Sequence, residues 1–113
     1  MEKIVEQGLL YDFYGELLTE HQRRIYEDAV YNDLSLAEIA EETGISRQGV
    51  HDLLRRCSHT LKGYEDRLHL VQRFYEIRQK VQGINELTED RDMEPERLRE
   101  EIRRLSKEIL EAL

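Results

Sequence analysis

The sequence predicts an all-α protein: a tri-helical helix-turn-helix core built around residues 35–61, an N-terminal helix, and a C-terminal helical hairpin or coiled coil. Three observations carry this. Apolar residues recur three and four apart along almost the whole chain, and strand-like alternation is never sustained. Helix formers dominate, with one proline and no tryptophan. Polar caps and glycines punctuate the pattern where helices should start and stop.

Residues 2–18 place Ile4, Val5, Leu9, Leu10, Phe13, Tyr14, Leu17 and Leu18 on one broad stripe, the mark of a core helix. Gly8 and Gly15 lower its helix propensity and permit close packing. Thr19 and Gln22 have the spacing of a capping box, in which side chain and backbone amide satisfy each other reciprocally. The helix they open carries Ile25, Tyr26, Ala29 and Val30 to about Asn32, where Asn32-Asp33 marks a turn. Ser35 and Glu38 repeat the box and open a short helix with Leu36, Ile39 and Ala40, ending near Thr43. Gly44 suits the left-handed conformation that stops a helix. Ile45 packs inward, and Ser46 caps a third start. Val50, Leu53, Leu54, Cys57 and Leu61 then form a stripe to about Lys62, and Gly63 is expected to break it. This gives a helix-turn-helix domain over residues 1–64 and a helical extension over 65–113.

In the extension, Leu70, Phe74, Ile77, Val81 and Ile84 are spaced four, three, four and three, the seam of a heptad helix. Residues 85–92 are polar and should bend. Pro95 fits the first turn of a last helix, in which Leu98, Ile102, Leu105 and Ile109 continue a four-three-four seam. These nine residues are the candidate dimer interface of a homodimer. The same seams equally suit a hairpin within one chain, and two hairpins can pair as a bundle.

The 113 residues suit one small domain with a helical extension. No apolar run approaches the length of a membrane span. The first ten residues, with Glu2, Lys3 and Glu6, lack the basic start and apolar stretch of a signal peptide. The single cysteine, Cys57, excludes an intrachain disulfide. A cytoplasmic protein without a membrane partner is expected. The net charge is −8, whereas nucleic-acid binders usually carry a basic excess. The acids are uneven, however. Residues 1–34 hold eight acids and three bases, residues 35–64 four of each, and residues 65–113 thirteen and ten. The helix-turn-helix is the least acidic part.

Each residue of its turn has a mechanical job. Ala40 lets two helices cross closely, and Ile45 and Val50 fill the angle between them. Ser46 fixes where the second helix begins and hence which side chains its first turns project. In a DNA reader those side chains meet base edges in the major groove. Here the candidates for nucleic-acid contact are Ser46, Arg47, Gln48, His51 and Arg55. Arg47 can bond guanine and Gln48 adenine. His51 and Arg55 could meet bases or phosphates. Asp52 would repel phosphate unless a neighbour pairs with it or it accepts from cytosine. The alternative is a tri-helical core whose outer face only meets water, since a fold does not establish a function.

The stretch from Leu36 through Val50 to His51-Asp52-Leu53-Leu54-Arg55-Arg56 resembles region 4 of bacterial sigma factors. Tyr11-Asp12-Phe13-Tyr14, Leu17-Leu18-Thr19-Glu20-His21-Gln22, Ser35-Leu36-Ala37-Glu38-Ile39-Ala40 and Ser46-Arg47-Gln48-Gly49-Val50 closely resemble the small bacterial YlxM family. Leu61 and Tyr64-Glu65 also fit its pattern, and the match spans roughly residues 9–70. The resemblance implies a winged-helix-like, DNA-binding regulatory protein. In that family the gene often lies beside that of the signal recognition particle GTPase, which implies a role in that pathway. DNA, the RNA of the particle and the GTPase itself are therefore the expected partners.

Other features read blandly. His21, His51, His59 and His69 form no pair with metal-ligand spacing on one helix face, and Cys57 reads as an ordinary buried thiol. Tyr11, Tyr14, Tyr26 and Tyr31 sit on or near apolar stripes and are expected in core or half-buried positions. There is no glycine-rich phosphate loop and no nucleophile motif, so the acids read as a solvated face. No enzyme activity and no cofactor are expected. Two readings remain: a nucleic-acid-binding regulator, and a protein adaptor for the signal recognition particle GTPase without DNA binding.

Overall fold

The computed structural model describes residues 3–113, with side chains from Val5 onward. Glu2 and the side chains of Lys3 and Ile4, used above to read the N-terminus, lie outside the described residues. The elements in order are α1 (Lys3–Tyr14), a 3-10 turn (Gly15–Leu17), α2 (Glu20–Val30), α3 (Leu36–Thr43), α4 (Arg47–Leu68), α5 (Leu70–Glu89) and α6 (Pro95–Ala112). No strand occurs among the described residues. The fold is all-α, and the winged-helix-like expectation is corrected: no β-hairpin forms a wing among the described residues.

The chain divides into two compact units, Met1–His69 and Leu70–Leu113. In the first, the centre is made by one residue from each of three helices. Ile25 of α2, Ile39 of α3 and Val50 of α4 are fully buried. Ala29, Leu34, Leu36, Ala40, Ile45, Leu53 and Leu54 pack around them. These are the apolar positions of the tri-helical core, and their removal from water is its main driving force. Leu10, Tyr14, Leu18, Tyr26, Cys57 and Leu61 are buried too, and α1 packs against α4. The Tyr14 hydroxyl donates to Glu65 Oε1 at 2.6 Å, and the Tyr14 and Tyr64 ring centroids lie 6.0 Å apart. Tyr11 stacks on Tyr26 with centroids 5.4 Å apart and donates its hydroxyl proton to Glu27.

The sequence stripe of residues 2–18 is not one helix. α1 ends at Tyr14 and passes into the 3-10 turn, where the Tyr11 ring lies over Gly15 so closely that a Cβ there would sit 2.8 Å from it. The break expected at Gly63 is absent, and α4 runs on to Leu68. A glycine inside a helix costs only about 1 kcal/mol, and Tyr64 and Glu65, which meet Tyr14, hold the next turn in place. The stop comes at His69, in the left-handed region with φ 56°. Tyr31 differs from expectation as well: its side chain is exposed. Its hydroxyl still reaches Asp12 Oδ1 at 2.8 Å and the Gly8 carbonyl oxygen at 3.2 Å.

In the second unit α5 and α6 pack on each other as a hairpin. Pro95 sits at the start of α6, where its missing N–H is not needed. Leu105 is buried against Gly83, and Lys80 Nζ pairs with Glu108 Oε2 at 3.0 Å.

Candidate nucleic-acid interface

The turn between α3 and α4 is built from local hydrogen bonds. Ser35 Oγ accepts from the Glu38 amide at 3.1 Å, and Glu38 Oε1 accepts from the Ser35 amide at 3.3 Å. Thr19 and Gln22 make the same reciprocal pair at the start of α2. Both boxes satisfy amides that a helix start leaves without carbonyl partners. α3 stops at Gly44, which has φ 74° and donates its amide to the Ala40 carbonyl. Any other residue there would be strained, although no atom stands in the way of a Cβ. Ser46 then opens α4: its Oγ accepts from the Gly49 amide at 3.0 Å.

Gly49 itself is a feature that sequence alone does not flag. A Cβ at that position would sit 2.7 Å from Ile45 Cγ2 and 3.1 Å from Ser46 Oγ. The missing side chain lets Ile45 fold back over the first turn of α4 into the core. The only available signal was the pairing of a β-branched residue with a glycine four residues on.

Ser46, Arg47, Gln48, His51 and Arg55 are all exposed. On a helix of 3.6 residues per turn, positions 47, 51 and 55 lie along one face and positions 48 and 52 along an adjoining one. The structure brings Asp52 into this group. Gln48 Nε2 donates to Asp52 Oδ1 at 3.0 Å, and His51 Nδ1 lies 3.7 Å from the same oxygen. The acid therefore has neighbours, and it holds the carboxamide of Gln48 across the helix surface. Among the described residues Arg47 and Arg55 have no ion pair. The first turn of α4 also carries no acid, so its amides and their positive dipole end are not offset.

The nine seam residues lie on the α5–α6 hairpin. Leu105 is buried, Ile77, Ile84, Leu98, Ile102 and Ile109 are half-buried, and Leu70, Phe74 and Val81 are exposed. Cys57 is buried, and burial pushes its thiol pKa up, the opposite of an activated nucleophile. Among the described residues no cluster of histidine, cysteine and carboxylate side chains is arranged to hold a metal ion. None of their helices is long and apolar enough to cross a membrane.

A family model described as "UPF0122: Putative helix-turn-helix protein, YlxM / p13 like" matches residues 1–104. A UPF0122 protein of Thermoanaerobacter sp. (strain X514) is 47% identical over 106 residues, which is 89% of this chain and 91% of that one. A UPF0122 protein of Caldanaerobacter subterraneus is 51% identical over 78 residues, 69% of this chain and 67% of the relative. A third, from Bacillus thuringiensis, is 36% identical over 107 residues, 95% and 97% of the two chains. The family is characterised by its helix-turn-helix. With the capped turn at Gly44 and a similarity that spans most of the chain in agreement, this chain belongs to the UPF0122 family of YlxM/p13-like helix-turn-helix proteins.

Proposed function

We propose that the protein is a cytoplasmic nucleic-acid-binding regulator whose reader is the N-terminal half of α4. Arg47, Gln48, His51 and Arg55 make the contacts, and Ser46 sets their register. The observation that carries this reading is two exposed arginines without acid partners in the N-terminal half of a helix that a tight turn presents, Arg47 at its start and Arg55 two turns on. DNA is the first candidate, and the RNA of the signal recognition particle is the second. The α5–α6 seam would pair two chains, giving two reader helices as in many helix-turn-helix dimers.

The test is fluorescence anisotropy of the purified protein against labelled duplex DNA and that RNA over a salt series. Binding should fall steeply with salt. Arg47→Ala with Arg55→Ala should weaken it while leaving helicity intact, and unchanged affinity would remove the assigned surface.

One observation favours a second reading. The chain carries 25 acids against 17 bases, so a basic protein surface is an electrostatically suited partner. The resemblance to the YlxM family makes the signal recognition particle GTPase the candidate, with the protein acting as an adaptor. A pull-down with that GTPase at low salt that recovers nothing would count against it.

A further inference from the structure

The reader surface ends at Arg55, yet α4 continues for more than three turns. The stretch from Leu53 to Tyr64 is the longest acid-free run in the chain, and it holds Arg55, Arg56, His59 and Lys62. All four are exposed. Among the described residues none is engaged in an ion pair. In a chain of net charge −8 this is an unusual place to leave cations without acids.

The geometry orders them. Positions 51, 55, 59 and 62 recur at four, four and three, so they stand in a row along one face of α4. Arg56 stands beside that row. Arg55 and His59 form a ridge between two open grooves. One groove is bordered by Gln7 of α1 with Ser58 and Lys62, the other by Gln22 of α2 with Asp52, Arg56 and Thr60. Each groove joins cations to neutral hydrogen-bonding side chains contributed by two helices, and the one carboxylate, Asp52, borders only the second groove, on the side of the first turns of α4. The row from His51 to Lys62 is about 16 Å long at 1.5 Å per residue. Along one nucleic-acid strand a phosphate recurs about every 3.4 Å of axial rise, so the row passes several phosphates.

We infer that the middle of α4 is a phosphate-binding rail, in which Arg56, His59 and Lys62 continue from Arg55 and hold the sugar-phosphate backbone of a nucleic acid whose bases meet the first turn of α4. This rests on the proposed function for the source of the phosphates. The rail supplies affinity and orientation, and the first turn supplies sequence preference, the division that phosphate and base contacts make generally.

The test is Arg56→Ala with Lys62→Ala, compared with the parent and with Arg47→Ala/Gln48→Ala, after circular dichroism shows equal helicity. Two labelled probes are used over a salt series: unrelated duplex DNAs, and an inorganic polyphosphate chain that has no bases. Each phosphate contact steepens the log–log salt dependence by about 0.9. The rail variant should therefore show a slope shallower by about two, with the same fold loss on every duplex, and it should lose polyphosphate binding. The Arg47/Gln48 variant should instead flatten differences between duplexes and keep polyphosphate binding. A parent that binds duplexes with a slope the rail variant does not change overturns the rail and leaves the proposed function standing. A parent that binds polyphosphate through Arg56 and Lys62 but no duplex keeps the rail as a phosphate site and sinks the nucleic-acid reading. Binding to neither probe overturns both.

Discussion

Asp52 is the one acid on the proposed reader face of α4, and Asp52→Asn isolates what its charge does. The substitution keeps the size of the side chain, and its oxygen can still accept from Gln48 Nε2, now 3.0 Å from Asp52 Oδ1. Only the negative charge leaves. The Asp52 side chain is 53% exposed, so the dielectric around it is close to that of water. At that dielectric, a phosphate about 8 Å away is repelled by about 0.5 kcal/mol. Two such phosphates flanking the helix give about 1 kcal/mol unscreened, which screening at about 20 mM salt reduces to about 0.7 kcal/mol, or about threefold in affinity. Near physiological salt the Debye length is about 8 Å, so the gain should shrink to less than twofold. The assay is anisotropy with a labelled duplex at about 20 mM and about 150 mM salt, a range over which charge effects fade. Unchanged or weaker binding at low salt would refute the placement of Asp52 against phosphate. An equal gain at both salts would refute an electrostatic origin and point to release of Gln48 or His51.

Three further outcomes follow from the same geometry. Gly44→Ala places a Cβ at φ 74° in open space, so only backbone strain is added; urea unfolding should show a loss of about 1–2 kcal/mol. Val50→Ala empties part of the fully buried centre shared with Ile25 and Ile39, and the same assay should show a loss of about 2–3 kcal/mol. A loss below about 0.5 kcal/mol would mean that the three helices close over the gap. The Tyr31 hydroxyl is pushed up to about 12: although the ring is half open to solvent, partial desolvation of the hydroxyl comes first, and then the Asp12 carboxylate that accepts its hydrogen bond. A folded pKa above the ordinary 10 contributes stability below pH 10 and loses it as pH rises from 10 towards 12. Tyr11 and Tyr26 are pushed up as well, so tyrosinate absorbance should show several late-titrating rings, and Asp12→Asn should bring the Tyr31 ring down while leaving Tyr11 and Tyr26 late.

The turn was legible because its determinants are local. Ser35 with Glu38, Thr19 with Gln22, Gly44 and Ser46 each act within four residues, so spacing alone fixes their partners. The extent of α4 was not legible. Gly63 is a plausible stop on propensity, and what overrides it is Tyr14 reaching Glu65 from 51 residues away. The stop at His69 is equally silent, since a histidine at φ 56° carries no sequence signal. In the candidate site the residue types and their exposure could be read from the pattern. The link from Gln48 to Asp52 is an i, i+4 pair, open to a sequence reader who asks what satisfies the acid. The grooves beside Arg55 and His59 were hidden because Gln7 and Gln22 come from α1 and α2, far away in the chain.

The hydrogen bond between Tyr14 and Glu65 also has a kinetic consequence. α2, α3 and α4 can assemble through short loops, a search with little closure entropy. α1 can dock only after the far half of α4 exists to receive it. It should therefore join the folding unit late, when its contacts are absent from the rate-limiting step. Substitutions at Tyr14 would then speed unfolding more than they slow folding. The amides of α1 would exchange with solvent through partial openings that leave the first turns of α4 intact.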